Sequence, residues 1–348
     1  MNHIYRALDY SKQAFHQKLD NELQKAGEFA NLTIVIDQIR EEHPTLSARK
    51  MYFMLNLQTM GRDSFERFCM QNGYNVPRKR NFFRTTNSLG VTRFNNLIAG
   101  MELTGVNQVW VSDITYYLIG ERFYFLSFIM DLFSRKIIGF SASKDLRTIN
   151  TTIPALKMAK RAQNQGKVPG CIFHSDGGGQ YYQKAFIDLT HQMGLINSMG
   201  YSVFENSHAE RINGTIKNDY LMHYKPIDYN GLIKQTSRAV KNYNNRPHDS
   251  LNKLSPNAFE HGVKEGYIAA KMNVSNFKER NPFDFIHKGK VDSEPVKGKV
   301  NGPAAQFNAS PPLTEPDSTL IGMLQNQKEQ KEKINFMSNP TQKTVNLI

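Results

Sequence analysis

The chain has 348 residues, with 44 Lys and Arg against 31 Asp and Glu, for a net charge of +13. Two cysteines, Cys69 and Cys171, exclude a disulfide framework and any cysteine-rich zinc module, and apolar runs such as 123–130 stop far short of the ~20 residues that span a bilayer. Positive charge in this excess favours a polyanionic partner, nucleic acid before an anionic membrane surface. The N-terminus carries no apolar signal core, so a cytoplasmic protein of roughly two domains is expected.

Residues 1–100 read as a helical region. A short helical pattern over 5–19 precedes Leu32, Val35, Ile36 and Ile39 at helical spacing. Pro44-Thr45-Leu46-Ser47 supplies a turn and a cap before a helix over 48–57, and Gly61 restarts a third through Phe65, Phe68, Cys69 and Met70, ended by Gly73. Three short helices with tight turns are similar to a helix-turn-helix unit. Its exit is basic: between Arg67 and Met101 there are six cations, Arg67, Arg78, Lys79, Arg80, Arg84 and Arg93, and no acid. Phe82 and Phe83 interleave with them, which suits a strip that tracks a DNA backbone, with Arg78, Lys79, Arg80 and Arg84 as contacts. The plainer reading is a solvated linker.

From Asn107 the period becomes that of strands. Val109 to Tyr116, Phe123 to Asp131 and Arg135 to Ser141 read as an antiparallel meander. A helix over 151–162, a buried strand over 171–175, a helix over 184–193 and a short strand near Ile196 follow, then two long helical patterns, 206–223 and 232–244. This order predicts an α/β domain with a mixed five-stranded sheet over 101–262. Beyond about residue 287 Lys, Gly, Pro, Ser, Asn and Gln dominate, so 263–348 is expected to be a largely disordered C-terminal tail.

Three acids stand where such a sheet exposes them: Asp113 in the first strand, Asp176 directly after the buried strand, and Glu210 on the following helix, with 62 and then 33 residues between. The blocks Val109-Trp110-Val111-Ser112-Asp113-Ile114-Thr115-Tyr116, His174-Ser175-Asp176-Gly177-Gly178-Gly179-Gln180-Tyr181 and Ala209-Glu210 resemble the catalytic blocks of bacterial insertion-sequence transposases related to retroviral integrases. Asp131-Leu132-Phe133-Ser134-Arg135-Lys136-Ile137-Ile138-Gly139 and Tyr243-Asn244-Asn245-Arg246-Pro247-His248, through Ser255-Pro256, extend the resemblance over roughly residues 30 to 262. Gly177 stands where the family more often has a larger or basic residue, and the second gap is slightly short.

The resemblance implies a ribonuclease H-like fold, a DDE polynucleotidyl transferase, and Asp113, Asp176 and Glu210 as both catalytic residues and ligands of two Mg²⁺ ions, with Mn²⁺ able to substitute. The chemistry supplies a reason, since attack on a phosphodiester needs charge relief on the phosphate and activation of a poor nucleophile, and hard ions held by carboxylates provide both. Glu210 is preferred to Glu205 as the third acid because Ala209, Ile212, Ile216 and Tyr220 form an apolar stripe that leaves Glu210, Asn213 and Lys217 facing outwards. Lys217, seven residues on and two helical turns away, is then a candidate phosphate contact. Asp131 is read as a turn cap, Trp110 as core, and Arg246 and His248 as a lock on the last long helix; His174 and His208 flank the acids, with a structural role at least as good.

The resemblance further implies double-stranded DNA as partner, both element ends and target, a multimer on DNA, and a companion product of an upstream reading frame; no membrane is involved. Two alternatives are a non-catalytic DNA-binding regulator derived from a transposase and a ribonuclease H-like nuclease acting on hybrids.

Overall fold

The computed structural model describes residues 11–76, 93–163, 166–200, 203–274 and 283–285. The proposed contacts Arg78, Lys79, Arg80 and Arg84 lie outside the described residues.

The helical region opens with α1, Lys12–Glu42, whose first turn is capped by the Ser11 hydroxyl accepting from the Ala14 amide at 3.1 Å. The two helical patterns expected here are one helix of 31 residues. Residues 20–31, between them, hold good helix formers and no Pro, and Gly27 alone costs about 1 kcal/mol, too little to break the run. After a turn, Ser47 caps α2, Ala48–Leu55, which ends on Asn56 in the left-handed conformation, and α3, Arg62–Gln71, follows. Ile36, Leu46, Met51, Phe65, Phe68 and Cys69 bury themselves between the three helices as a small core of their own.

The larger part is built on β1 (Glu102–Leu103), β2 (Val109–Ile119), β3 (Arg122–Asp131), β4 (Ile137–Ser143), α4 (Thr152–Arg161), β5 (Ile172–Ser175), α5 (Lys184–Met193) and β6 (Ile196–Met199). Next come α6 (Ser207–Thr215), extended by a π-helical turn over Ile216–Leu221, then α7 (Tyr229–Asn245), α8 (Pro256–Lys264), β7 (Ala270–Asn273) and β8 (Phe283–Phe285).

The main sheet has the order β4-β3-β2-β5-β6, antiparallel on one side of β2 and parallel on the other. Strand residues alternate between two cores. Val109, Val111, Phe128 and Met130 face α6 and α7, whereas Trp110, Ile129 and Phe173 face α4 and α5. Covering both faces makes the stretch 109–112 buried at every position, the signature of a strand with a parallel neighbour. Where β4 meets α4, Gly139 is required: a Cβ there would sit 2.3 Å from the Ala155 carbonyl oxygen.

The boundaries expected at 100 and 262 both move outwards. Residues 95–98 already belong to the sheet unit, with the Met199 amide donating to the Asn95 carbonyl, the Leu97 amide donating to Ser198 Oγ, and Ile98 buried in the core. Residue 262 falls inside α8, and β7 beyond it pairs with β1, burying Ala270, Met272 and Val274. A composition-based boundary missed a strand of four residues because its polar members Lys271 and Asn273 alternate with the two that are buried. No described helix is long and apolar enough to cross a membrane.

Candidate active site

Strand register brings the first two acids together. β2 and β5 pair in parallel through Ser112 and Ser175, so Asp113 and Asp176 are the next residues of neighbouring strands, at the edge where the parallel ladder ends. Neighbouring strands run about 4.8 Å apart, and the sheet reverses direction at β2, the kind of switch point where α/β sheets place their sites.

Each carboxylate is held. Asp113 Oδ1 accepts from the Ile114 amide at 2.8 Å and Oδ2 from the Asn213 side-chain amide at 2.9 Å. Asp176 Oδ1 accepts from the Gly178 amide at 3.1 Å, and a Cβ on Gly178 would come within 3.0 Å of that same oxygen. The glycine run after Asp176 thus serves close approach to the acid at Gly178. Burial, and then the charges of Asp176 and Glu210, push the Asp113 carboxyl up to about 7. Burial also raises Asp176, against the pull of the Gly178 amide.

The third acid comes from α6, which packs against β2 and β3. Ala209, Ile212, Ile216 and Tyr220 are buried in the core as the apolar stripe requires, and Asn206 at the helix start donates to the Ser112 carbonyl at 3.0 Å, tying the helix to β2 one residue from Asp113. Glu210 stands exposed in the first turn and lines a cavity of about 800 Å³ bordered by Arg40, Tyr74, Val76 and His223. Its charge reaches Asp113 less strongly than that of Asp176. Among the described residues no three His, Cys, Asp or Glu side chains converge closely enough to hold an ion as they stand. The donor set still suits a hard cation, because three carboxyl groups share one region and burial, then the charges of Asp176 and Glu210, raise Asp113, a cost that a divalent ion would relieve.

Lys217 lies on the π-helical turn, its ammonium 5.1 Å from the centre of the Tyr116 ring. Burial lowers it, and the charge of Asp113 works in the opposite direction, so it belongs to the same region as the acids. Asn213 does not face outwards. It is 5 % exposed, and its amide holds Asp113 while its side-chain oxygen has no hydrogen-bond partner. Its place three residues after Glu210, beside the apolar stripe, was the available signal.

The neighbours are structural. Asp131 caps its turn, accepting from the Ser134 amide and hydroxyl and from the Asn107 amide. Trp110 is fully buried. His174 is buried, bonded to Ser198 Oγ at 2.9 Å and pushed down to about 4 by burial, which keeps it neutral. Arg246 binds Asp219 at 3.1 Å and stacks over the rings of Tyr220 and Tyr243, joining α7 to the end of α6.

Residues 104–201 match the family described as Integrase core domain, and residues 191–256 match a second family of the same description. The chain is 32% identical over 229 residues to the uncharacterized 31 kDa protein of insertion element IS600 from Shigella sonnei, covering 62% of this chain and 83% of that one. It is 34% identical over 113 residues to the transposase for insertion sequence element IS629, also from Shigella sonnei, covering 32% of this chain and 37% of the relative. Among solved structures it is similar to the magnesium complex of the HTLV-2 integrase catalytic core, at 21% identity and a TM-score of 0.36, covering 45% of this chain and 98% of that one. With a relative so similar over most of its length, and the integrase core falling on the segment that carries Asp113 and Asp176, the chain belongs to the insertion-sequence transposases, of the DDE type related to integrases.

Proposed function

We propose that this transposase catalyses divalent-metal-dependent cleavage and transfer of DNA strands at one site formed by Asp113, Asp176 and Glu210. The observation that carries the reading is the position of Asp113 and Asp176, each one residue past the last pair of the parallel ladder, Ser112 with Ser175, together with the Asp113 carboxyl pushed to about 7. Two Mg²⁺ ions, or Mn²⁺ in their place, would supply charge relief on the phosphate and a reactive oxygen nucleophile at neutral pH. Asp113 and Asp176 hold the ions from the sheet. Glu210, exposed on the first turn of α6, would serve as the third ligand. Asn213 orients the Asp113 carboxylate and favours its charged form, and Lys217 neutralises a phosphate oxygen of the bound strand.

The substrate is double-stranded DNA, the ends of the mobile element and then a target. The region before residue 95 acts as a helix-turn-helix-like reader with Arg78, Lys79, Arg80 and Arg84 on the backbone, the sheet unit from 95 onwards as the catalytic core, and two or more copies assemble on DNA, with a companion protein sharing recognition of the ends. Incubating the full chain with Mg²⁺ and duplexes carrying candidate ends tests this, with joined strands as the product sought. Asp113→Asn should lower joining by a factor of at least about 10³, as expected when a charge-stabilising group is removed, while binding of the duplex persists. A fully active Asp113→Asn protein would sink the reading.

A further inference from the structure

Two sequence blocks have no part in the chemistry above, the one from Asp131 to Gly139 that holds Arg135 and the one through Arg246 and His248, yet the fold brings them together. They meet across α6 from the N-terminal end of α2 and enclose a second cavity of about 720 Å³. Its lining carries six Lys or Arg residues, among them Lys50, Arg135, Arg211, Arg246 and Lys253, against a single carboxylate, Asp249. Asp249 is exposed and bound to Lys50 at 3.3 Å and to Lys253, so it offsets the two lysines and leaves buried Arg135 and Arg246 deeper in.

The deepest is Arg246. It is 9 % exposed, its Nη1 is satisfied by Asp219, and its buried Nε has no hydrogen-bond partner among the described residues. A buried donor left unmatched is costly unless something fills the site. The local field agrees: burial, then Arg246 and Lys50, push His248 down to about 3, and burial followed by Arg246 lowers Lys50. Ser207, Arg211 and Thr215 line both this cavity and the one that Glu210 borders, so the two adjoin along α6.

We propose that this cavity is a phosphate-binding site, filled by a backbone phosphodiester of the DNA strand that runs past Glu210. Planar guanidinium forks in a water-poor recess suit a tetrahedral oxyanion with several acceptor oxygens. The volume exceeds that of one phosphate group and leaves room for the attached sugar. The choice of DNA as the source rests on the proposed function; the anion site itself does not.

The test uses the full chain carrying Asp113→Asn, so that binding is read without turnover, and compares it with the same chain also carrying Lys50→Gln and Arg211→Gln. Both changes lie at the cavity's rim and leave buried Arg246 in place; Arg211→Gln alone, at an exposed position, replaces the double variant if that one melts early. Removing one cation that neutralises a phosphate should lower the slope of log affinity against log salt by about 0.9, so the double variant is expected to lose one to two from that slope and about tenfold in affinity at low salt. Inorganic phosphate should raise the melting temperature of the parent and not of the variant. Protection by phosphate with an unchanged slope would support the anion site and assign it to a free phosphate compound instead of DNA. The proposal is overturned if neither changes, or if a control pair at exposed Lys157 and Lys184 lowers the slope equally. An active Asp113→Asn protein would refute the catalytic reading while leaving these comparisons interpretable.

Discussion

Asn213 shows how one amide bears on the state of a buried acid, Asp113. Its donation to Asp113 Oδ2 favours the charged form and opposes the burial and neighbouring charges that push the carboxyl up to about 7. Asn213→Ala should therefore raise the Mg²⁺ concentration needed for half-maximal joining by roughly 10-fold to 100-fold, the usual effect of losing a partner that orients a metal ligand. Metal titration of the joining reaction measures this directly, and an unchanged midpoint would remove Asn213 from the site. The three acids were legible in the sequence because they sit in recognisable blocks. Asn213 was not, since on a helical wheel it sits beside the apolar stripe, and only the closeness of α6 to β2 turns it inwards. The same reading placed Asp131, Trp110 and Arg246 as turn cap, core and lock, and their hydrogen bonds and burial agree.

The sheet is the element that makes the site. Hydrophobic alternation predicts β2, β3 and β4 and their antiparallel order, but parallel pairing of β2 with β5 joins residues more than sixty positions apart, and no local pattern encodes that register. The join of α1 across residues 20–31 escaped for the opposite reason, because weak amphipathicity hid a run whose helix propensity is good throughout. Sheet position also depends on close contact with the helices behind it. Gly139→Ala would drive a methyl group against the Ala155 backbone, and overpacking of this kind typically costs about 1–3 kcal/mol. Thermal melts of the full chain should show a fall of several degrees, whereas Gly61→Ala, with open space around the added methyl, should show little.

At the scale of the molecule, the helical region is fastened to the sheet unit at the end of α1. The Glu42 carboxylate accepts from Arg238 at 2.7 and 3.0 Å and from Asn242 on α7, its carbonyl accepts from the Tyr224 hydroxyl, and His43 Nδ1 meets the Tyr220 hydroxyl at 3.2 Å. The hydrogen bonds from Arg238 hold Glu42 below its usual carboxylate range, and burial, followed by the charge of Arg246, pushes His43 down to about 4. For both groups the fastened form binds protons less readily than the released form. The fastening is therefore complete above about pH 6.5 and weakens as pH falls towards 4, first through His43 and then through Glu42. Glu42→Ala should speed hydrogen exchange of α2 and α3 amides by about tenfold at pH 7, and the wild-type chain should approach the variant's protection only as pH falls below about 4.5; equal rates at pH 7 would show that the contact holds nothing. The return of β7 onto β1 bears on how such a protein is assembled from parts. The strand by which the polypeptide enters the sheet unit and the strand by which it returns lie side by side, and β8 pairs in turn with β7. A unit closed in this way can be carried between different flanking modules as a cassette, provided the cut falls beyond Phe285 so that β8 stays paired with β7, whereas a cut at 262 would strip the cover from Leu103 and leave an open edge inviting pairing with another chain.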